Sequence, residues 1–152
     1  MFYQNKKVLI TGGTGFVGSH FVKALLDEGA RIRVPVHIRP LVFPDERVET
    51  ISADLTRRED CRVACRDVDY VFHCAGAVAA AAVSTSNPMS AITTNLILTA
   101  QMLEGAWSEG VKRFLVFSSS TGYPAADYPI KEEEMWAGPT YPGYFGYGWM
   151  RR

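Results

Sequence analysis

The sequence has no excess of charge and few of the side chains that bind metals or form disulfides. Sixteen basic residues balance 16 acidic ones, and the 152 residues include only three histidines and three cysteines. A zero balance argues against a surface that coats nucleic acid or adsorbs to a membrane. Cys61, Cys65 and Cys74 are odd in number and lack metal-ligand spacing. We therefore expect free thiols in a reducing compartment, and no metal.

Long hydrophobic runs are also missing. The first apolar run follows Lys6 and Lys7 and stops at Ile10, which is too short for a signal peptide or a membrane span. We therefore expect a cytoplasmic protein with no membrane partner. A chain of 152 residues is long enough for one domain with a hydrophobic core and too short for two, so we expect one domain over residues 1–152.

Apolar periodicity predicts strands that alternate with helices. Short runs rich in β-formers predict strands at 6–10, 31–37, 48–51, 68–76 and 111–120, and helical spacing predicts helices at 16–29, 56–66 and 87–109. Pro35 is expected near the end of its strand. Such alternation is typical of a doubly wound parallel α/β sheet, the Rossmann fold.

A glycine motif lies between the first predicted strand and the first predicted helix. In TGGTGFVG, Thr11 to Gly18, the residues Gly12, Gly15 and Gly18 have the spacing GxxGxxG. The first glycine allows a tight turn, the second a close approach to a pyrophosphate, and the third close helix packing. The helix N-terminus adds free N–H groups and a positive dipole end. We prefer dinucleotide binding to a plain glycine-rich turn.

Several ordered motifs resemble those of the short-chain dehydrogenase/reductase superfamily. Besides the glycine motif they include ADL at 53–55, VFHCAG at 71–76, Asn95 in the long helix, and VKRFLVFSSS at 111–120. The likeness is to the extended branch of nucleotide-sugar epimerases, dehydratases and reductases. Within that branch, the segment from SSTGYP at 119–124 to FGY at 145–147 resembles the approach to the catalytic tyrosine of GDP-fucose synthases.

The resemblance implies a set of cofactor-binding residues: Gly12, Gly15, Phe16, Val17, Gly18, Arg39, Asp54, Leu55, Ala75, Gly76, Ala77 and Asn95. It implies that Tyr147 transfers the proton and that Ser119 binds the reacting oxygen. Ser120 or Thr121 takes the serine's role if the loop shifts by one residue. The simple run at 75–86 is expected to be a loop against which a ligand approaches the backbone.

The position of the family's lysine, four residues after the tyrosine, is held by Arg151. An unperturbed tyrosine has a pKa of about 10 and needs a nearby cation to act as a base at neutral pH. The guanidinium of Arg151 keeps the charge but cannot release a proton. An alternative register that starts at Tyr144 puts Gly148 at the cation position. The competing interpretation of this segment is an aromatic helix start with exposed arginines.

The end of the second predicted strand governs the choice of cofactor. An acidic residue there suits NAD, whereas an arginine suits the 2′-phosphate of NADP. The segment RVPVHIRP, 33–40, has no acid until Asp45, so we expect NADP, with NAD as the alternative. The competing interpretation is that Arg33 and Arg39 are solvated surface cations.

The resemblance implies a nucleotide-sugar substrate, and dimerisation through the long helix and the tyrosine helix is a common family property. It also implies a C-terminal substrate lobe, of which we find no counterpart after Arg152, so we expect the N-terminal part of a longer enzyme, or a gene whose remainder is lost. The rival hypothesis is a non-catalytic NADP(H)-binding module, which the arginine at position 151 favours.

Overall fold

The computed structural model describes residues 1–42, 44–77, 87, 89 and 91–152. Within these residues, parallel strands pair in the order β3-β2-β1-β4-β5. The strands are β1 (Lys7–Thr11), β2 (Arg31–Val36), β3 (Val48–Ser52), β4 (Tyr70–His73) and β5 (Arg113–Val116). The helices are α1 (Phe16–Asp27), α2 (Arg58–Cys65), α3 (Ile92–Ser108) and α4 (Phe145–Arg151). The predicted doubly wound parallel sheet is confirmed.

The two faces of the sheet carry separate hydrophobic cores because successive strand residues point to opposite sides. On one face, Val8 and Ile10 pack with buried residues of α1. On the other face, Leu9 packs with buried residues of α2 and with Met102. β1 is buried along nearly its whole length, as expected for a central parallel strand covered on both sides.

Several elements are shorter than their sequence patterns predict. β5 ends at Val116, which pairs with His73 at the end of β4, because an edge strand can pair only as far as its single neighbour extends. α3 begins at Ile92 and not at 87. The Asn87 side chain accepts a hydrogen bond from the Met89 N–H at 3.2 Å, and such local bonds compete with helix formation.

The described residues divide into two compact units. The sheet unit comprises Met1–Ala77 and Ile97–Val116. The tyrosine unit comprises Val78–Leu96 and Phe117–Arg152, and in it 3₁₀ turns at Ser120–Gly122, Glu132–Trp136 and Pro142–Tyr144 precede α4. Residues 78–86, most of the simple run predicted to be a ligand-facing loop, lie outside the described residues.

Candidate functional site

The glycine turn after β1 brings three backbone segments closer than side chains would allow. Gly12 has a left-handed backbone at φ = +65°, and a Cβ added to it would lie 2.8 Å from the Ala75 nitrogen. A Cβ on Gly18 would collide with the carbonyl oxygen of Gly12. The Gly15 N–H closes the turn by donating to the same oxygen at 2.9 Å. Only glycine fits at positions 12 and 18.

The N-terminus of α1 is open to an anion. Gly15 is the N-cap and supplies no side chain, and the first turn contains no acidic residue. The first N–H groups of any helix lack intrahelical partners. Phe16 is 82% exposed and Val17 is half-exposed, so the approach to this end is not covered by their packing. The backbone is therefore suited to a pyrophosphate.

A buried polar network joins β1, β4 and α3 beside the glycine turn. The Thr11 hydroxyl lies 2.8 Å from Nδ1 of His73 and accepts a hydrogen bond from the Ala75 N–H at 3.1 Å. Nε2 of His73 lies 3.4 Å from the Thr99 hydroxyl. Thr11 and His73 are almost fully buried. The network therefore fixes the chain after β4 against the turn. Beyond it, Ala75 and Ala77 are half-buried and Gly76 is exposed.

The two arginines of the second strand segment differ in their surroundings. Arg39 follows β2 and is exposed, as is His37. Arg33 is only 7% exposed: it donates to the carbonyl oxygens of Ala64 and Arg66 at 2.9 and 2.8 Å and pairs with Glu49 at 3.0 Å. Arg33 is therefore a structural cation at the C-terminus of α2 and not a solvated one.

Asp54 and Leu55 follow β3, near the start of α2. The Asp54 carboxylate accepts hydrogen bonds from the N–H and the hydroxyl of Thr56 at 3.0 and 2.7 Å, and these bonds lower the pKa of Asp54 below its usual range. Leu55 is buried, and its carbonyl oxygen accepts from the thiol of Cys61. Burial raises the pKa of that thiol to about 12. Cys61, Cys65 and Cys74 are free cysteines.

Ser119, Tyr147 and Arg151 all belong to the tyrosine unit, as does Asn95, which is 5% exposed. The Ser119 hydroxyl accepts from the N–H and the hydroxyl of Thr121 at 3.3 and 3.0 Å. The Tyr147 hydroxyl is buried and has no hydrogen-bond partner among the described residues. Arg151 donates to the Phe117 carbonyl oxygen at 3.0 Å. Arg151 and Tyr147 are thus not hydrogen-bonded to each other.

Arg152 makes contacts that the sequence analysis missed. It donates to the carbonyl oxygens of Gly122 and Gly138, both at 2.7 Å, and its guanidinium lies over the rings of Trp136 and Trp149. In the sequence, Arg152 follows Trp149 by three residues and Trp136 by 16, and this spacing does not identify the carbonyl partners.

A cleft of about 550 Å³ opens next to the serine turn within the tyrosine unit. Its lining is uncharged and consists of hydroxyl, aromatic and small apolar side chains: Ser120, Thr121, Tyr123, Pro124, Ala125, Ala126, Ile130, Tyr141 and Tyr144. Tyr144, the tyrosine of the alternative register, therefore faces this cleft and is half-exposed.

A family model described as the NAD dependent epimerase/dehydratase family matches residues 8–148, which contain the glycine turn, the serine turn and Tyr147. The chain belongs to this family. This family assignment agrees with the resemblance seen in the motifs, which implied a nicotinamide cofactor and a relation to epimerases and dehydratases.

Curated relatives that are similar to this chain are named for different substrates. The inverting UDP-N-acetylglucosamine 4,6-dehydratase of Campylobacter jejuni is 30% identical over 125 residues, 77% of this chain and 37% of that protein. A 3β-hydroxysteroid dehydrogenase/Δ5→4-isomerase of Mycobacterium tuberculosis is 30% identical over 118 residues, 76% of this chain and 32% of that protein. The chain spans about a third of the length of these curated relatives.

Among solved structures, MoeE5 in complex with UDP-glucose and NAD superposes with a TM-score of 0.77 and 28% identity, over 95% of this chain and 45% of that one.

In the part of the chain that the structure describes, no helix has both the length and the apolar character needed to span a bilayer.

Proposed function

We propose that residues 1–152 form the nicotinamide-binding domain of an enzyme that epimerises, dehydrates or reduces a nucleotide-linked sugar. Family membership supports a nicotinamide-dependent reaction. The dehydratase relative is named for a UDP-sugar, and MoeE5 is in complex with UDP-glucose. The steroid dehydrogenase relative makes a hydroxysteroid the competing substrate. Assays with a UDP-hexose and a 3β-hydroxysteroid distinguish the two classes.

The dinucleotide site is assigned to the sheet unit. Gly12, Gly15 and Gly18 allow the pyrophosphate to approach the backbone, and the open N-terminus of α1 stabilises its charge. We assign Phe16, Val17, Asp54, Leu55, Ala75, Gly76 and Ala77 to the same cofactor. Asn95 belongs to the tyrosine unit, and its role in cofactor binding stays a prediction of the family resemblance.

NADP is the proposed cofactor because Arg39 is an exposed cation three residues after the end of β2, in the region where a 2′-phosphate is recognised in this fold. Arg39→Ala should weaken NADPH binding about tenfold or more, the scale of one lost charge-assisted hydrogen bond. NADH binding should change little. Fluorescence titration of both cofactors measures this, and equal losses for the two would contradict the assignment of the phosphate.

The chemical step is assigned to Tyr147 and Ser119. A bound nicotinamide supplies the hydride acceptor or donor. Tyr147 Oη would take the proton of the substrate's hydroxyl group as the attached carbon is oxidised, and Ser119 Oγ would orient the hydroxyl oxygen. The observation that carries this proposal is the buried Tyr147 hydroxyl, which lacks a hydrogen-bond partner among the described residues. Buried polar groups without partners are rare, and functional sites are one place where they occur.

Tyr147→Phe tests the assignment. In the full-length protein it should abolish turnover of the nucleotide sugar while the dissociation constant for the cofactor stays nearly unchanged, because the hydroxyl acts only in the proton transfer. Tyr144→Phe, a change of the half-exposed tyrosine in the cleft, is the matched control and should retain turnover. If Tyr147→Phe remained active and Tyr144→Phe did not, the base would be Tyr144.

A non-catalytic NADP(H)-binding module is the second candidate. It is favoured by Arg151, whose guanidinium donates to the Phe117 carbonyl oxygen and makes no hydrogen bond to Tyr147. If the chain is a weakened enzyme, Arg151 keeps part of the electrostatic role of the family's lysine. Arg151→Lys should then raise turnover substantially. No gain, with cofactor binding intact, would favour the binding module.

We further propose that two copies associate through α3. One face of this helix exposes the apolar residues Leu96, Ala100, Leu103 and Trp107, whose spacing places them on a single stripe. An isologous contact between two such stripes would cover both.

A further inference from the structure

The serine turn and the tyrosine helix are docked through backbone groups within the tyrosine unit. A Cβ on Gly148 would lie 2.5 Å from the Thr121 carbonyl oxygen and 2.6 Å from Thr140 Cβ, so α4 touches the turn directly. The Ser118 hydroxyl donates to the Arg151 carbonyl oxygen at 3.1 Å. Contacts with α4 therefore flank Ser119 on its N-terminal and C-terminal sides.

Arg152 completes this docking from the end of α4. Its Nε–H donates to the Gly122 carbonyl oxygen, and its Nη2–H donates to the Gly138 carbonyl oxygen, each at 2.7 Å. Gly122 closes the 3₁₀ turn that has Ser119 as its N-cap. Gly138 lies two residues before the buried Thr140, which packs on Gly148. One guanidinium thus joins the turn, the loop that leads to α4, and α4 itself.

The chemistry of this contact requires arginine. The donors of a guanidinium have a fixed planar arrangement, so two carbonyl oxygens in different directions are bound at once. The guanidinium carbon lies 5.3 Å from the ring centroid of Trp136 and 4.9 Å from that of Trp149, within the range of cation–π attraction. A lysine would keep the charge and lose the fork.

We infer that Arg152 is a positioning residue that holds Ser119 in register with the helix of Tyr147. The inference rests on the proposed roles of Ser119 and Tyr147. It assigns the two consecutive arginines different tasks: Arg151 stands at the position of the family's lysine, whereas Arg152 holds the geometry of the pair that performs the chemistry.

Hydrogen exchange of the 152-residue chain tests the geometric part without any need for turnover. Arg152→Met should speed amide exchange in residues 117–123 and 139–151 together, by about tenfold or more, because both hydrogen bonds of the guanidinium are lost. Exchange in β1 and β4 should not change. Arg31→Met is the control, because Arg31 is exposed and donates to the Asn5 carbonyl oxygen in the sheet unit. Unchanged exchange in residues 117–123 would overturn the inference.

Turnover tests the functional part. Arg152→Met should lower kcat about tenfold or more at nearly constant KM and cofactor affinity, since a misplaced pair affects the chemical step. Arg152→Lys should lie between wild type and Arg152→Met in both exchange and kcat. Faster exchange with unchanged kcat would reduce Arg152 to a purely structural role and overturn the inference. A full-length wild-type protein that turns over none of the tested substrates would count against the proposed function, and the exchange experiment would then decide on Arg152.

Discussion

At the scale of single residues, a position can require glycine for two reasons: a left-handed backbone, or a contact too close for a Cβ. Gly12 and Gly110 both have positive φ, at +65° and +73°. A Cβ on Gly12 would meet the backbone of Cys74 and Ala75, whereas a Cβ on Gly110 would meet none of the described residues within 4 Å. Both positions therefore need a residue that accepts a positive φ, and position 12 also excludes a Cβ.

Gly12→Ala should consequently be far more damaging than Gly110→Ala. Both variants lose about 1–2 kcal/mol through the left-handed backbone, and Gly12→Ala loses about a further 1–3 kcal/mol through the forced contact. Urea unfolding measures the difference. Gly12→Ala should also abolish cofactor binding, while Gly110→Ala should retain it. Equal losses of stability would show that the chain after β4 moves away from the turn at little cost.

A second prediction concerns two buried hydroxyl groups. Thr140 Oγ1 and Tyr147 Oη have no hydrogen-bond partner among the described residues. Removing an unsatisfied buried hydroxyl relieves its desolvation penalty. Thr140→Val and Tyr147→Phe should therefore each raise the free energy of unfolding by about 1 kcal/mol. Only Tyr147→Phe should lose turnover. Destabilisation of Tyr147→Phe would mean that its hydroxyl has a partner in the folded protein.

At the scale of elements, Arg33 connects β2, β3 and α2 through a single buried side chain. It donates to carbonyl oxygens at the end of α2 and pairs with Glu49 on β3. Arg33→Met should lower the free energy of unfolding by about 1–3 kcal/mol, because buried carbonyl groups lose their donor. Arg31→Met, an exposed change in the same strand, should stay within about 0.5 kcal/mol. Similar values for both would mean that water replaces the buried donor.

The ion pair between Arg33 and Glu49 should make the stability of the protein depend on pH. Hydrogen bonding from Arg33, reinforced by Lys7, lowers the pKa of Glu49 below its usual 4.5. A depressed folded-state pKa contributes stability above the unfolded-state pKa, and this contribution is lost as pH falls through the folded-state value. Glu49→Gln should therefore reduce stability at neutral pH and flatten its decline below about pH 4.5. Urea unfolding at several pH values measures this, and parallel acid limbs for the two proteins would contradict it.

The elements were predictable where apolar periodicity is uninterrupted. β1, β2 and α1 lie where apolar runs predict them, because burial against the rest of the fold imposes these patterns. Their ends were not predictable, since β5 stops where β4 stops and α3 starts after the local bond of Asn87. The site divides in the same way. Glycine spacing is a local signal, whereas the carbonyl partners of Arg33 and Arg152 exist only in the folded chain.

At the scale of the whole molecule, the exposed stripe on α3 is the feature that bears on assembly. Trp107 is 83% exposed, and Leu96 and Leu103 are about half-exposed. Such a contiguous apolar surface typically marks an interaction site. α1 covers the opposite face of the sheet and is therefore the appropriate place for a control substitution.

Trp107→Glu should shift the protein from dimer to monomer, because a carboxylate within an apolar contact would lose hydration without gaining a partner. Sedimentation velocity over a range of concentrations measures the change. Lys23→Gln on α1 alters the net charge by the same amount and should leave the dimer intact. A wild-type protein that stays monomeric at high concentration would contradict the proposed association. Loss of the dimer in both variants would show that net charge, and not the stripe, controls it.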